Sequence, residues 1–204
     1  MAGLRARKRA QTREEIIDAA LTLFETKGFD GATIDDVAAA ADVSPRTVFR
    51  YFATKEDLVF FGQDEENRRI VSMLKPVPRG NDAIGAIMAV TRTILLGSGP
   101  TSEQLVRSRR LVRATPSLRA YEGQLRREIE RIVAAALVPA RATRAQTLRG
   151  RMMAAVYVAA LDAAMSSWMD AGAKGTPVRE LDEVESVVDR AFTVRKTGPR
   201  RKSP

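Results

Sequence analysis

The 204-residue chain contains no cysteine and no histidine. Their absence removes a disulfide framework and every Cys/His zinc site. It equally removes Ser-His-Asp and Cys-His catalytic units, so an enzyme built on this chain would have to work with carboxylates, Lys or Tyr. No cofactor and no metal are expected. Aromatic residues are scarce, with one Trp and three Tyr. Acidic residues are outnumbered, 25 Asp and Glu against 34 Lys and Arg, which leaves a formal net charge of +9. Such a balance favours a polyanionic partner. No stretch approaches the roughly 18 uninterrupted apolar residues of a membrane span. The basic N-terminus, Met1 to Arg13, is not followed by the apolar run of a secretory signal. The expectation is a soluble, cytoplasmic protein with no membrane partner, in keeping with the missing cysteines.

Strand signals are poor as well. β-branched residues rarely alternate with polar ones, and no Asn-Gly or Asp-Gly hairpin turn occurs. Helix signals fill the gap: Ala is abundant, and apolar residues recur at three- and four-residue spacing. The fold class is therefore all-α, with about nine helices. Thr12 with Glu15 has the form of a capping box, so the first helix is expected to start there. Ile16, Ala20, Leu23 and Phe24 form its apolar stripe. Gly28 is expected to stop it as a left-handed cap, with Phe29 folding back on the last turn. Thr33 with Asp36 opens a short helix to about Ala41. Ser44 caps a third, with Pro45 at its first position, where a missing N–H costs nothing. Thr54 with Asp57 starts a fourth, expected to run to Leu74 before Pro76, Pro78 and Gly80 break it. Longer helices are expected over 81–96, 101–114, 116–137, 143–172 and 177–194. The tail from Arg195 to Pro204 carries only basic charges and reads as disordered.

The informative segment runs from Thr33 to Lys55. It holds a short helix, a tight turn and a second short helix with its own N-cap, which is the layout of a helix-turn-helix. Ile34, Val37 and Ala41 can bury against Val43, Val48 and Phe52, and Ala38 is small enough to let the helices approach. That leaves Arg46, Thr47, Phe49, Arg50 and Tyr51 on other faces. Arg pairs bidentately with guanine, and Thr and aromatic rings can touch thymine methyls. Lys55 and backbone N–H groups at helix starts suit phosphates. An ordinary solvated face is the bland alternative for Arg46, Arg50 and Lys55, and pure helix capping the alternative for Thr33 and Ser44. The basic stretch Arg5, Arg7, Lys8 and Arg9 is either a solubilising terminus or an arm that tracks the minor groove or phosphates.

Residues 12–58 resemble the DNA-binding domain of the tetracycline-repressor (TetR) family. The matching features are Ile16 to Ala20 with Leu23-Phe24, Gly28-Phe29, Thr33 to Ala38, Val43-Ser44, Thr47-Val48, Phe49, Tyr51-Phe52 and Lys55 to Leu58. Asp42 stands where the family most often has Gly, and Asp tolerates the left-handed conformation better than most residues. Phe49 stands where Tyr is common, so a phosphate bond through that hydroxyl is lost. The resemblance implies backbone contacts from Thr33, Ser44, Tyr51 and Lys55, and base reading by Arg46, Thr47, Phe49 and Arg50. It also implies a C-terminal domain that dimerises through its last two long helices. The small residues Ala154, Ala155, Ala159, Ala160, Ala163 and Ala164, and the stripe Leu181, Val184, Val188, Ala191 and Phe192, could then pack as a four-helix dimer bundle. The run Arg109 to Val112 with Thr115 to Leu118 is similar to regulators of mycofactocin systems.

These readings divide the chain into a basic arm (1–11), a helix-turn-helix domain (12–54), a helical effector-binding and dimerisation domain (55–194) and a basic tail (195–204). Arg110, Tyr121, Tyr157, Met165 and Trp168 are candidates for an effector site, although Met and aromatic stripes at helical spacing are usually core. Arg107, Arg109 and Arg113 read as a solvated face, and Asp162 as a paired acid. The expected partners are a double-stranded operator with an inverted repeat, a second copy of the chain, and a small hydrophobic or acyl-type effector that releases a repressor. The alternative is an effector-independent architectural protein, marked by steep salt dependence and little sequence preference.

Overall fold

The computed structural model describes residues 2–74, 83–97 and 100–192. Among them are ten helices: α1 (Ala2–Lys27), α2 (Ile34–Ala40), α3 (Pro45–Tyr51), α4 (Lys55–Val59), α5 (Gln63–Leu74), α6 (Ala83–Leu95), α7 (Ser102–Ala114), α8 (Pro116–Leu137), α9 (Arg144–Asp170) and α10 (Val178–Phe192). The all-α expectation holds. The tail from 195 onward and the breakers Pro76, Pro78 and Gly80 lie outside the described residues.

Local capping chemistry sets most boundaries. Reciprocal capping boxes open α2 (Thr33 with Asp36), α4 (Thr54 with Asp57) and α9 (Thr143 with Gln146). A further one, Thr101 with Gln104, opens α7. Ser44 caps α3 ahead of Pro45, and Pro116 sits in the first turn of α8. Gly28 ends α1 with φ +78°, and the Phe29 ring meets Phe24 edge-on at 5.1 Å. A glycine there adopts the left-handed conformation without a Cβ clash.

Two boundaries differ from the sequence expectation. The first helix does not begin at Thr12: α1 is continuous from Ala2, and the Thr12 hydroxyl donates back to the Lys8 carbonyl. No Pro interrupts residues 2–27, and once an upstream turn exists Thr12 has no orphan N–H to cap. The expected helix from 54 to 74 is in fact two, α4 and α5. The chain turns at Phe61 (φ 57°) and Gly62 (φ 73°), where the Gly62 N–H bonds to the Asp57 carbonyl at 2.8 Å.

The helices enclose two cores. The first gathers Ile16, Ile17, Ala20, Leu21 and Phe24 of α1, Val37 and Ala38 of α2, Val48 and Phe52 around α3, and Leu58 and Val59 of α4. It also includes Leu111, Val112 and Leu118, so α7 and α8 finish a core that the N-terminal helices begin. The second core joins Leu74, Ile87, Ile132, Val133 and Leu137 to Met153, Tyr157 and Val158 of α9 and Val184 and Val188 of α10. Burying a Val, Leu or Ile side chain stabilises by about 1.5–3 kcal/mol, so each core has ample drive.

This second core corrects the assignment of the α10 stripe to a dimer seam. Leu181, Val184 and Val188 are buried inside one protomer at 4%, 4% and 1% exposure, and Ala160 and Ala164 pack half-buried against the same core. α9 is long and apolar enough to cross a membrane by length and composition alone. Within this fold it packs on α8 and α10, and Asp162 in its second half pairs with Arg126 of α8 at 2.9 Å.

Candidate nucleic-acid interface

α2, the turn and α3 form the helix-turn-helix. The turn needs one residue in the left-handed region, and Asp42 supplies it with φ 51°. The Val43 N–H closes the turn on the Ala38 carbonyl at 3.0 Å. α3 is anchored by Val48, fully buried, and by Phe52 just beyond its end. Helical periodicity then turns the remaining α3 side chains outward. Arg46 and Arg50 are exposed, and Phe49 is 54% exposed, an unusual state for a Phe on a protein surface. Thr47 and Tyr51 are half-buried. No acidic residue occurs between Asp42 and Glu56, so nothing on α3 opposes an approaching phosphate.

Thr33 and Ser44 lie exposed at the starts of α2 and α3, and both are engaged in capping. The Ser44 oxygen accepts from the Thr47 N–H at 3.1 Å and bonds its hydroxyl at 2.9 Å. Thr33 shares Asp36 with Lys27, whose ammonium lies 2.9 Å from that carboxylate. Lys27 and the Thr33 donors hold Asp36 well below the usual carboxylate range. The Lys55 ammonium rests 4.4 Å from the centre of the Phe29 ring, which fixes a flexible side chain at the first turn of α4.

The contact of Arg9 was not legible beforehand because it depends on the longer α1. Arg9 lies over the Tyr51 ring at 5.9 Å from its centre, and Arg50 over the same ring at 5.3 Å. Arg13 lies over Phe52 at 5.5 Å and donates to the Phe61 carbonyl. The unbroken run Ala2, Ala6, Ala10 at four-residue spacing was the available signal.

The five effector-site candidates are not brought together. Tyr121 on α8 donates to Asp57 Oδ1 at 3.1 Å and stacks near Phe60. Tyr157 is buried in the second core and bonds Thr91; burial pushes its hydroxyl up to about 12. Trp168 is half-buried, and its N–H donates to the Lys174 carbonyl at 3.3 Å. Met165 lies half-buried one turn before Trp168. Arg110 is exposed and borders an open surface depression with Glu25, Glu103, Val106 and Arg107.

Of the remaining Arg residues of α7, Arg107 and Arg109 are half-buried, unlike the solvated face expected of them, whereas Arg113 is exposed as expected. Arg107 serves the seam with the N-terminal bundle, and Arg109 and Arg113 pair within the C-terminal helices. Arg107 grips Glu25 of α1, at 2.7 Å for the shortest bond, and bonds Thr22. Arg109 reaches Glu122 and Asp170, and Arg113 reaches Asp170. Gln104 donates to Asp18 of α1 at 2.8 Å, and the buried Ser108 hydroxyl donates to the Val59 carbonyl at 2.8 Å. Asp57, 2% exposed, joins this seam through Tyr121 while accepting from the N–H groups of Ala53 and Thr54.

Comparison with known proteins bears on this geometry. Residues 16–60 match the family model for bacterial regulatory proteins of the tetR family. The HTH-type transcriptional regulator TcmR of Streptomyces glaucescens is 34% identical over 93 residues, which is 46% of this chain and 41% of TcmR. MftR of Mycobacterium tuberculosis, a proposed mycofactocin biosynthesis transcriptional regulator, is 30% identical over 119 residues, 56% of this chain and 58% of MftR. The chain thus spans about half the length of these relatives. MftR is named for a mycofactocin system, the type of regulator expected from the sequence. Among solved structures, that of NalD from Pseudomonas aeruginosa superposes with a TM-score of 0.54 at 16% identity, covering 89% of this chain and 96% of NalD. The architecture therefore extends over nearly the whole chain, and the sequence match concentrates where α3 presents its Arg and Phe side chains. At residues 16–60 this chain is similar to the N-terminal domain of the tetR family of bacterial regulatory proteins.

Proposed function

We propose that the chain is a sequence-specific DNA-binding transcriptional regulator that acts in the cytoplasm, most simply as a repressor. The observation that carries this reading is α3: a capped, seven-residue helix with Val48 fully buried and Arg46, Phe49 and Arg50 turned to solvent. Arg46 and Arg50 would read guanine edges, and Phe49 and Thr47 thymine methyls. Thr33, Ser44, Tyr51 and Lys55 would hold the backbone. The repressor mode is borrowed from NalD, described as the secondary repressor of a multidrug efflux pump.

The partner in assembly would be a second copy. Leu148 and Met152 of α9 are 59% and 55% exposed, and Ala155, Ala159 and Ala163 continue the same stripe. An apolar face of this kind on a long helix needs a cover. Two copies joined along α9 would present two α3 helices to an inverted repeat.

A small hydrophobic or acyl-type effector would act on the helices behind α4. The candidates remain Arg110, Tyr121, Tyr157, Met165 and Trp168. Tyr121 touches Asp57 directly, which supports a route by which a bound ligand could bias the DNA-binding unit. Selection of bound duplexes from a random library tests the central reading. An enriched inverted repeat is expected, and recovery of duplexes without any shared sequence would refute it in favour of an architectural protein.

A further inference from the structure

The two arginines of α3 are held differently. Arg46 is exposed in the first turn. Arg50 is exposed too, but its guanidinium lies over the Tyr51 ring, 5.3 Å from the ring centre. No acidic residue occurs between Asp42 and Glu56, so the ring, and not a carboxylate of its own helix, holds Arg50. The ring is itself fixed. Tyr51 is half-buried, packs against the first core, and lies 6.4 Å from the Phe52 ring at a 38° tilt. Arg9 of α1 braces the same ring at 5.9 Å. Tyr51 is also the last residue of α3, and Phe52 beyond it is extended, with φ −135°. No further turn of α3 therefore stands between the Arg50 stem and the ring.

A guanidinium is planar, so a ring takes one of its faces while its N–H donors point outward in the plane. Bidentate pairing with guanine uses those in-plane donors. Stacking on Tyr51 and reading a base are thus compatible in one geometry of Arg50. A free Arg side chain loses rotamer freedom when it docks on a base, and a rigid platform that has already restricted it lowers that cost. We propose that the Tyr51 ring is a positioning platform that presents Arg50 to a base pair, so that discrimination at that pair depends on the ring although Tyr51 does not touch the base. The proposal rests on the DNA-binding reading above. It leaves backbone contact to the Tyr51 hydroxyl and gives the ring a separate task.

The test uses the full chain, unmodified and as Tyr51→Phe, Tyr51→Leu, Arg46→Ala, Arg50→Ala and Tyr51→Leu/Arg50→Ala. Each is titrated by fluorescence anisotropy against the selected duplex and against duplexes with single base-pair changes. Arg46→Ala and Arg50→Ala locate the pair that each residue reads. Tyr51→Leu keeps an apolar group on the core but removes the ring. It should lower discrimination at the Arg50 pair by about two- to fivefold, the strength of an exposed cation–π contact, and leave the Arg46 pair unchanged. Tyr51→Phe should keep discrimination at both pairs, with its lost hydroxyl weakening all duplexes alike. In the Arg50→Ala background, Tyr51→Leu should change no ratio. Tyr51→Met, which fills the space with another good helix former, takes the place of Tyr51→Leu if circular dichroism shows the latter unfolded. NMR of the free protein gives a second readout: the ring-current shift of the Arg50 side-chain signals should persist in Tyr51→Phe and vanish without the ring. Equal relaxation at the Arg46 and Arg50 pairs on losing the ring would mean that Tyr51 merely packs α3, and would overturn the proposal. So would sharper discrimination without the ring, which marks a parked guanidinium, or an Arg50→Ala that relaxes no pair. Sequence preference in the unmodified protein keeps the DNA-binding reading standing through each of these failures. Without that preference, both readings fall.

Discussion

Asp57 offers the sharpest test of how the N-terminal bundle is joined to the rest. Its carboxylate is 2% exposed and accepts from the Ala53 and Thr54 N–H groups and from the Tyr121 hydroxyl at 3.1, 3.3 and 3.1 Å. Asp57→Ala removes the reciprocal half of a capping box, worth about 1 kcal/mol. It also removes a hydrogen bond to a charged acceptor, worth about 1.5–3 kcal/mol. Relief of the buried carboxylate's desolvation offsets part of this, so a net loss of about 2–3 kcal/mol is expected. For a chain of this length that is a fall of about 4–12 °C in Tm. Tyr121→Phe should cost about 1.5–2 kcal/mol, because it leaves one carboxylate oxygen without its donor. The double variant should then lose about 1–2 kcal/mol less than the sum of the two. Urea unfolding of the four proteins measures this coupling. Additivity within about 0.5 kcal/mol would mean that the contact carries no energy, and would refute Tyr121 as a connection between α8 and α4.

The other expectations concern DNA, assembly and pH. Arg46→Ala or Arg50→Ala should cost about 1–3 kcal/mol in binding to a selected duplex and relax preference at defined base pairs, whereas Lys55→Ala should weaken all duplexes alike; fluorescence anisotropy distinguishes the two patterns. Ala159→Asp should give folded monomers in sedimentation, since its charge would be buried only in a dimer, while Val188→Asp should unfold the protomer itself because that site is 1% exposed. A dimer that survives Ala159→Asp would place the seam elsewhere. Tyr157 is neutral in the fold with its hydroxyl raised from 10.0 to about 12, so its contribution is complete below pH about 10 and is lost as pH rises toward 12. Relative to Tyr157→Phe, the unmodified protein should lose about 3 kcal/mol across that window in urea titrations; parallel pH profiles would contradict the burial of the hydroxyl.

Features whose cause lies within three or four residues could be read from the chain alone. Thr33 with Asp36, Ser44 ahead of Pro45, Thr54 with Asp57, and Gly28 before Phe29 each satisfy orphan backbone groups locally, so their positions could be read directly. The outward set of α3 followed from the same locality, because burying Val48 leaves Arg46, Phe49 and Arg50 facing away. Tertiary structure decided the rest. Thr12 and Glu15 fit the pattern of a helix start, yet an upstream turn of favourable helix formers made that cap unnecessary. At the break between α4 and α5 the Phe61 carbonyl accepts from Arg13, which lies 48 residues earlier in the chain, a partner no local pattern names. Val184 and Val188 form an apolar stripe that would suit a dimer seam or an internal core equally well. Only the placement of α6, α8 and α9 around them fills that stripe from within one protomer. Tyr121 likewise carries nothing in its local sequence that points to Asp57. Hydrophobic burial has no direction along the chain, so which face meets which is fixed when the helices pack and not when they form.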